Sequence, residues 1–585
     1  MKRILKLVLG TMALTLGACS NDLPGVEGTE PSLEGKNAYM MINIVSATDG
    51  TRATNDEGFQ YGDAGEHAVH DAQFFFFDKE GRFVTKATVW TGGSDGSDPE
   101  KKDNIEYFGK NVIVLKNLTS TPVRYLLTVL NLPDFEPSTT IEATATKLQN
   151  WQNRIGETNY HVMSTASYFG TNDHHNSTYP YATFIQEGDY QVQPQDVNFS
   201  ADNLNTDVVD IYVERLAAKV EVKLDPDFTS GENPVKLDDD TVLYPIRASV
   251  GGYNNGTLDD VEGDDTGAEM LYVKFTGWGL NGILPESSLF KQLDKDWERT
   301  APPFDGWNDP ANFRSYWTKT PYYTQDPTTW LSYVSFEEAT SRIGDETYKA
   351  GVNYCNGNTN TLEAIFNGQA LVHSKVTHVL VAAQICNKAG EALDLVRATS
   401  GEMYTKKSYI NYIFSLVNPL VYVKNDDQTQ TQITPDDLDL EIERDPQGQI
   451  RVAVKGVKNN RTLYNNSGEV INNPADYLYG GFNTAQSALS PEAYTGGAMY
   501  YTIPIEHMGA LNANSDVKPY ATLGYYGVVR NFWYVITLKN LSRFGHGVFS
   551  PTEKIIPDAP EEDNYLLGAK INILSWKVLN QSVNM

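Results

Sequence analysis

Few residue groupings in this chain have the types and spacing that chemistry demands, and the first of them centres on a cysteine. Leu16-Gly17-Ala18-Cys19 follows a basic start (Lys2, Arg3, Lys6) and an apolar run from Leu7 to Leu16. This is the layout of a bacterial lipoprotein signal, with the Cys19 thiol as the group to be acylated. The apolar run is far shorter than the roughly 20 residues a bilayer-spanning helix needs, so residues 1–19 read as a signal peptide that is removed. Each buried methylene contributes about 0.8 kcal/mol, and several acyl chains on one cysteine anchor stably. An ordinary secretory signal with a chance cysteine is the bland alternative. The acidic, turn-rich stretch from Asn21 to Gly35 reads as an exposed tether.

The second grouping is a cleavable loop. Tyr39 to Val45 is a strand pattern with apolar residues on both faces, including Met40, Ile42 and Ile44, and the polar stretch to Gly58 follows it. Arg52 is the only Lys or Arg between Lys36 and Lys79. A polar, Gly-containing loop is a natural proteolytic target, and a cut in it would release that strand and nothing else of the core, with an ordinary surface arginine as the bland reading of Arg52.

Other motif matches fail on context. Gly92-Gly93-Ser94-Asp95-Gly96 has the form of a nucleophile elbow, but it sits in an acidic loop before Asp98-Pro99 rather than at a strand-to-helix turn. Gly277-Trp278-Gly279-Leu280-Asn281-Gly282 has the form of a dinucleotide fingerprint, yet Leu284-Pro285 follows where a helix should open, so a strand end and turn is expected. His174-His175 beside Asp173, and His67 with His70, form no closed metal set. Asp238-Asp239-Asp240 lacks the alternating ligands of a calcium loop and reads as a solvated turn. Cys355 and Cys386 have no CxxC neighbour, which leaves open a disulfide or two separate buried thiols. No catalytic residue, metal or cofactor is therefore expected, and the chain is not expected to be an enzyme.

The elements that position these groups are strands. The chain has 585 residues, enough for two or three domains, and a formal charge of −29, which disfavours nucleic acid and anionic lipid as partners. Short apolar runs separated by Gly, Asn, Asp and Pro recur from Ala38 onward, so antiparallel sandwiches are expected. Phe74 to Phe77 and Phe83 to Trp90 read as a core hairpin around Asp78 to Gly81. Val112 to Leu115 is expected to pair with Tyr125 to Leu132, and Leu438 to Glu443 with Ile450 to Val454 through Asp445-Pro446-Gln447-Gly448. Val208 to Leu224 reads as one run with a domain boundary near 225. Ile141 to Asn153 and Ser287 to Trp297 are the helix candidates. The terminal run from Ile571 is β-prone, with a change of apolar parity near Val578.

Val213-Glu214-Arg215-Leu216-Ala217-Ala218-Lys219-Val220, Phe275 to Asn281, Phe313-Arg314-Ser315-Tyr316-Trp317, Tyr500 to Ile505, Tyr526 to Asn531 and Ile571 to Trp576 carry a further signal. Their order, with the lipobox and Thr51-Arg52-Ala53, resembles the fimbrillin (type V pilin) superfamily of Bacteroidales, and within it the major subunits of short, or minor, fimbriae. The resemblance implies two transthyretin-like β-sandwich domains, at 53–225 and 226–585, behind a signal peptide (1–19) and a propeptide (20–52). It implies a lipidated outer-membrane precursor cut after Arg52 by an arginine-specific surface protease, with the strand carrying Met40, Ile42 and Ile44 excised. A neighbouring copy's tail, with Ile571, Ile573, Leu574, Trp576, Val578 and Val583, would fill the vacancy and build an extracellular fimbrium for adhesion and biofilm formation. Identical subunits and accessory anchor and tip proteins are the implied partners. An anchor or tip subunit is the alternative within the superfamily, and a surface glycan-binding lipoprotein the alternative outside it.

Overall fold

Alternating apolar and polar residues predispose the chain to strands, and strands dominate. The computed structural model describes residues 35–46, 66, 69–90, 101–102, 105–115, 122–149, 161–167, 178–193, 207–251, 268–294, 317–425, 427–507, 518–557 and 567–575. Among these the fold is mainly β, with a few short helices.

The first half contributes β1 (Asn37–Ser46), β2 (Asp71–Phe77), β3 (Phe83–Trp90), β4 (Ile105–Leu115), β5 (Tyr125–Leu130), α1 (Ile141–Ala145), β6 (Leu148–Gln149), β7 (Met163–Thr165), β8 (Tyr190–Gln193) and β9 (Val208–Arg215). One sheet runs in the order β3-β2-β5-β7-β9-β1-β4, with β8 paired to β1 as well. The β2-β3 hairpin forms where the phenylalanine run predicts it. Successive side chains point to opposite faces. Phe74 and Phe76 therefore join Met40, Ile42 and Ile211 in one cluster, while Phe75 and Phe77 join Leu127, Ile141, Leu289 and Phe290 in another. One expectation fails here: β4 does not pair with β5. β1 pairs with β4, while β5 pairs with β2 and β7. Two runs close in sequence are separated by three strands, β7 and β9 from downstream and β1 from far upstream, which local periodicity does not reveal.

The second half contributes β10 (Ala217–Thr229), β11 (Val242–Ser249), β12 (Ala268–Asn281), β13 (Ser287–Ser288), β14 (Val352–Asn356), β15 (His378–Cys386), α2 (Lys406–Val417), β16 (Leu438–Arg444), β17 (Ile450–Val457), α3 (Pro474–Gln486), β18 (Ala498–Pro504), β19 (Phe532–Leu541) and β20 (Leu567–Ser575). One sheet runs β14-β10-β19-β20 and another contains β11-β12-β15-β18. They share a core in which Val220, Val222, Tyr534 and Ile536 meet Leu271, Val379, Val381 and Tyr501. Pairing is antiparallel among the described strands except β1 with β9 and β10 with β19.

The run from Val208 to Leu224 is two strands. The chain crosses from the first sheet to the second at Leu216, which is 2% exposed and lies ahead of the boundary expected near 225. The helix expectations also change. Ile141 starts only the five-residue α1, capped by Thr140 Oγ1 accepting from Ala143 N, and Ser287–Ser288 pairs as a strand with Leu148–Gln149. The longer helices α2 and α3 lie elsewhere, in the stretch between Ala398 and Leu489, where Tyr409, Ile413, Leu478 and Phe482 pack with Val421 and Leu438 in a separate core. The β16-β17 hairpin forms as expected, with Gly448 at φ +84° and Asp445 Oδ1 accepting from Gln447 N and Gln449 N. Cys355 and Cys386 are two separate buried thiols. Burial pushes Cys355 up to about 12 and Cys386 up to about 11.

Candidate functional site

β1 is built to be held from both sides. Along one edge Asn37 to Met40 pair antiparallel with β8, and Met41 to Ser46 pair parallel with β9, ending at Ser46 opposite Val213. Along the other edge Ala38 to Ser46 pair antiparallel with β4, with a bulge between Asn43 and Val45. Ala38, Met40 and Ile42 are all 0% exposed and face the first-half core, while Tyr39 on the opposite face is 8% exposed and Met41 is half-buried. Burial on both faces thus holds fully for one face and less for the other. Burying Met40 and Ile42 contributes about 1.5–3 kcal/mol each. Ile44 lies in the β1 ladder opposite Ile211.

The tail is held differently. Among the described residues β20 pairs antiparallel with β19 alone, with Ile571 opposite Ile536, Ile573 opposite Tyr534 and Leu574 opposite Trp533. It is the outermost strand of its sheet. Cys19, Arg52, Ala53, Trp576, Val578 and Val583 lie outside the described residues, as do the Gly92 to Gly96 run, His67 and His174-His175.

The glycine run at 277–282 is the expected strand end and turn. Trp278 exchanges backbone hydrogen bonds with Ser341 at 2.9 Å each way. A Cβ on Gly277 would lie 2.5 Å from Ala339 O, so only glycine lets the 339–341 segment lie against the strand. Asp238 to Asp240 is a turn in which Asp239 Oδ1 accepts from Thr241 N and Lys236 pairs with Asp240 at 2.7 Å.

Sequence reasoning missed a buried polar joint between the two halves. The Glu66 carboxylate receives Lys219 Nζ at 2.7 Å and the Tyr354 hydroxyl at 2.5 Å, and its carbonyl receives Arg215 Nε at 2.6 Å. The side chains of Glu66 and Lys219 are each 5% exposed. Burial works against the Glu66 carboxylate, and the Lys219 ammonium, with Tyr354 and Arg215, outweighs it, so its pKa falls below the ordinary value. Lys219 also lies over the Trp533 ring at 4.2 Å. Nearby, Lys291 pairs with Glu214 at 2.8 Å with both side chains 0% exposed, and Arg530 donates to Leu289 O, Ser288 O and Ser287 Oγ. Removing one partner of such a pair costs about 3–5 kcal/mol, because the other charge is left dry. The available signal was compositional: Glu214, Arg215 and Lys219 sit in a strand run with no turn residue to bring them to the surface.

A search of the curated proteins gives no match. Three solved structures are similar over most of the chain at low identity. A candidate cell adhesion protein from Parabacteroides distasonis ATCC 8503 is 11% identical, with 94% of this chain and 100% of that chain covered and a TM-score of 0.38. A fimbrilin from Porphyromonas gingivalis W83 is 10% identical, with coverage of 92% and 99% and a TM-score of 0.32. The tip fimbrial protein Mfa3 from Porphyromonas gingivalis is 11% identical, with coverage of 92% and 100% and a TM-score of 0.29. Residues 492–582, which take in β18, β19 and β20, match the family model of the C-terminal region of fimbrillin, the major fimbrial subunit protein type IV.

Proposed function

We propose that this chain is a structural, non-enzymatic subunit of a cell-surface fimbrium, of the kind that forms the stalk of short fimbriae. In this reading it is exported as a lipoprotein held to the outer membrane through Cys19, cut between Arg52 and Ala53 by an arginine-specific protease, and polymerised when a sister copy's tail takes the place of β1. Its two halves are transthyretin-like sandwiches divided at Leu216, anchor and tip proteins complete the fibre, and the fibre serves adhesion and biofilm formation.

The observation that carries the reading is the placement of β1. It is paired on both edges and core-facing at Ala38, Met40 and Ile42, and it lies just upstream of Arg52, the only Lys or Arg between Lys36 and Lys79. Loss of β1 opens backbone groups of β9 and β4 together with core side chains, and an added strand satisfies both. β20 is a suitable source because leaving β19 breaks one ladder, whereas β1 is held by two. A head-to-tail exchange of this kind does not close and gives a filament. N-terminal sequencing of sheared fibres tests it: Ala53 is the expected first residue, with a ladder of multimers on an unheated gel. Normal-length fibres from Arg52→Ala cells, or from a chain ending before Ile571, refute it.

One observation favours the glycan-binding alternative. Tyr322 and Trp330 stack at 4.0 Å and 3°, and Trp330 is 40% exposed, a surface suited to a sugar ring. That reading predicts a lipidated monomer whose sugar binding is lost on Trp330→Ala.

A further inference from the structure

Ser46, the last residue of β1, is level with Val213 in the parallel ladder. Two residues further along β9, Arg215 Nε donates to the Glu66 carbonyl at 2.6 Å. The described chain therefore leaves the first sheet beside Val213 and is next held at Glu66, against the Arg215 side chain near Leu216, before it re-enters the sheet at β2. The proposed cut after Arg52 falls between these two points. At the downstream point the Glu66 carboxylate is gripped by Lys219 of β10 and Tyr354 of β14, both from the second half. Because Glu66 and Lys219 are both out of water, withdrawing Glu66 leaves the Lys219 ammonium buried without its counter-charge.

We propose that Glu66 is a retaining pin: it keeps the downstream end of the severed segment at the joint between the halves, so that processing detaches β1 without loosening β2 or the joint. The identity of the cut rests on the fimbrial reading, while the pin rests on geometry alone. Glu66 acts as a positioning residue. Its two grips lie on the second half and its carbonyl contact on the first, so it fastens three pieces of the chain: the segment leading into β2, the end of β9, and the β10-β14 pair. Once β1 has gone, Glu66 adds a grip from the β2 side to the crossing at Leu216, the Lys291–Glu214 pair, the Arg215–Asn531 bond and the contacts around β6 and β13. His161 reports on the same place, since its ring meets the Tyr354 ring edge-on at 4.8 Å.

The test uses the full chain, cut in solution by an arginine-specific protease, with amide hydrogen exchange followed at residues 69–77 and 352–356. In the wild type, exchange at both segments is expected to change less than threefold on cutting. In Glu66→Gln it is expected to rise at least tenfold after the cut and much less before it, with Tyr354→Phe intermediate. Val381→Ala, a core substitution away from the joint, controls for general destabilisation and should show no such dependence on the cut. The pin is overturned if Glu66→Gln and Tyr354→Phe exchange like the wild type in the cut protein, or if the rise is the same before and after cutting. A second protein, with a foreign protease site replacing residues 51–54, receives the same cut without Arg52. Failure of the arginine-specific protease then counts against the processing scheme alone, and the foreign cut still decides the pin.

Discussion

Ile42→Ala is the sharpest probe of the β1 slot. Ile42 is fully buried among Phe74, Phe76, Ile113 and Ile211, so truncation to alanine costs about 2–5 kcal/mol, the transfer of the lost carbons plus the cavity they leave. The same contacts are lost whether the whole chain unfolds or β1 alone departs. Any equilibrium that removes β1 should therefore shift by about 30-fold to several thousand-fold, at about 1.4 kcal/mol per tenfold. Urea unfolding of the uncut chain measures the first quantity. Cutting after Arg52, followed by gel filtration with and without a synthetic peptide covering residues 571–585, measures the second as retained β1 fragment. The two free-energy changes should agree, and the peptide should enter the variant at much lower concentration than the wild type. A variant that loses stability in urea yet keeps its β1 fragment as tightly as the wild type would show that β1 does not leave as a unit.

The remaining predictions concern the second half. Cys355 and Cys386 should resist a thiol reagent at pH 8 in the native protein and both react on denaturation, because burial raises each thiol; rapid native labelling would contradict this. Burial raises the Glu506 carboxyl to about 7, so its stabilising contribution is full below the ordinary carboxyl value and is lost as pH rises through 7. Glu506→Gln should accordingly gain on the wild type between pH 5 and pH 8, by about 1.4 kcal/mol per unit at most, in urea titrations. Burial lowers neighbouring His507 to about 3, so its contribution has the opposite sense: present above about pH 6.5 and lost as pH falls toward 3. His507→Gln should flatten that acid limb, and an unchanged limb would refute the assignment. Finally, Leu395–Arg397 pairs with Glu492–Tyr494, so excising residues 399–489 behind a short Gly-Ser joint should leave the two facing sheets folded, as judged by retained burial of Trp278 in fluorescence quenching.

What the chain discloses about itself depends on how local the determinant is. The β2-β3 and β16-β17 hairpins were readable because their turn residues sit between the strands they join. β1 was readable as a strand because its apolar residues occupy both parities, but its place between β9 and β4 was not. Helices α2 and α3 escaped because Tyr409, Ile413, Phe414 and Val417 include β-favouring residues in so short a stretch that a helical and a strand reading compete. The 3.6-residue spacing gains its meaning only from the packing with Leu478 and Phe482. The Glu66 joint was least visible, since Glu66, Arg215, Lys219 and Tyr354 come from widely separated segments and nothing in the sequence pairs them.

The crossing at Leu216 has a mechanical consequence. β9 and β10 are nearly one continuous strand that passes between the halves, so a pull applied along the chain enters both sheets lengthwise. β10 resists in shear between β14 and β19, with ladders on both sides. Among the described residues β9 is gripped on its other flank by β7 only at Val213, Glu214 and Arg215, so most of its grip comes from β1, which pairs with it from Val208 to Val213. Tensile strength in the first half is thus conferred by β1: seated, it closes the load path, and its removal would leave that path slack.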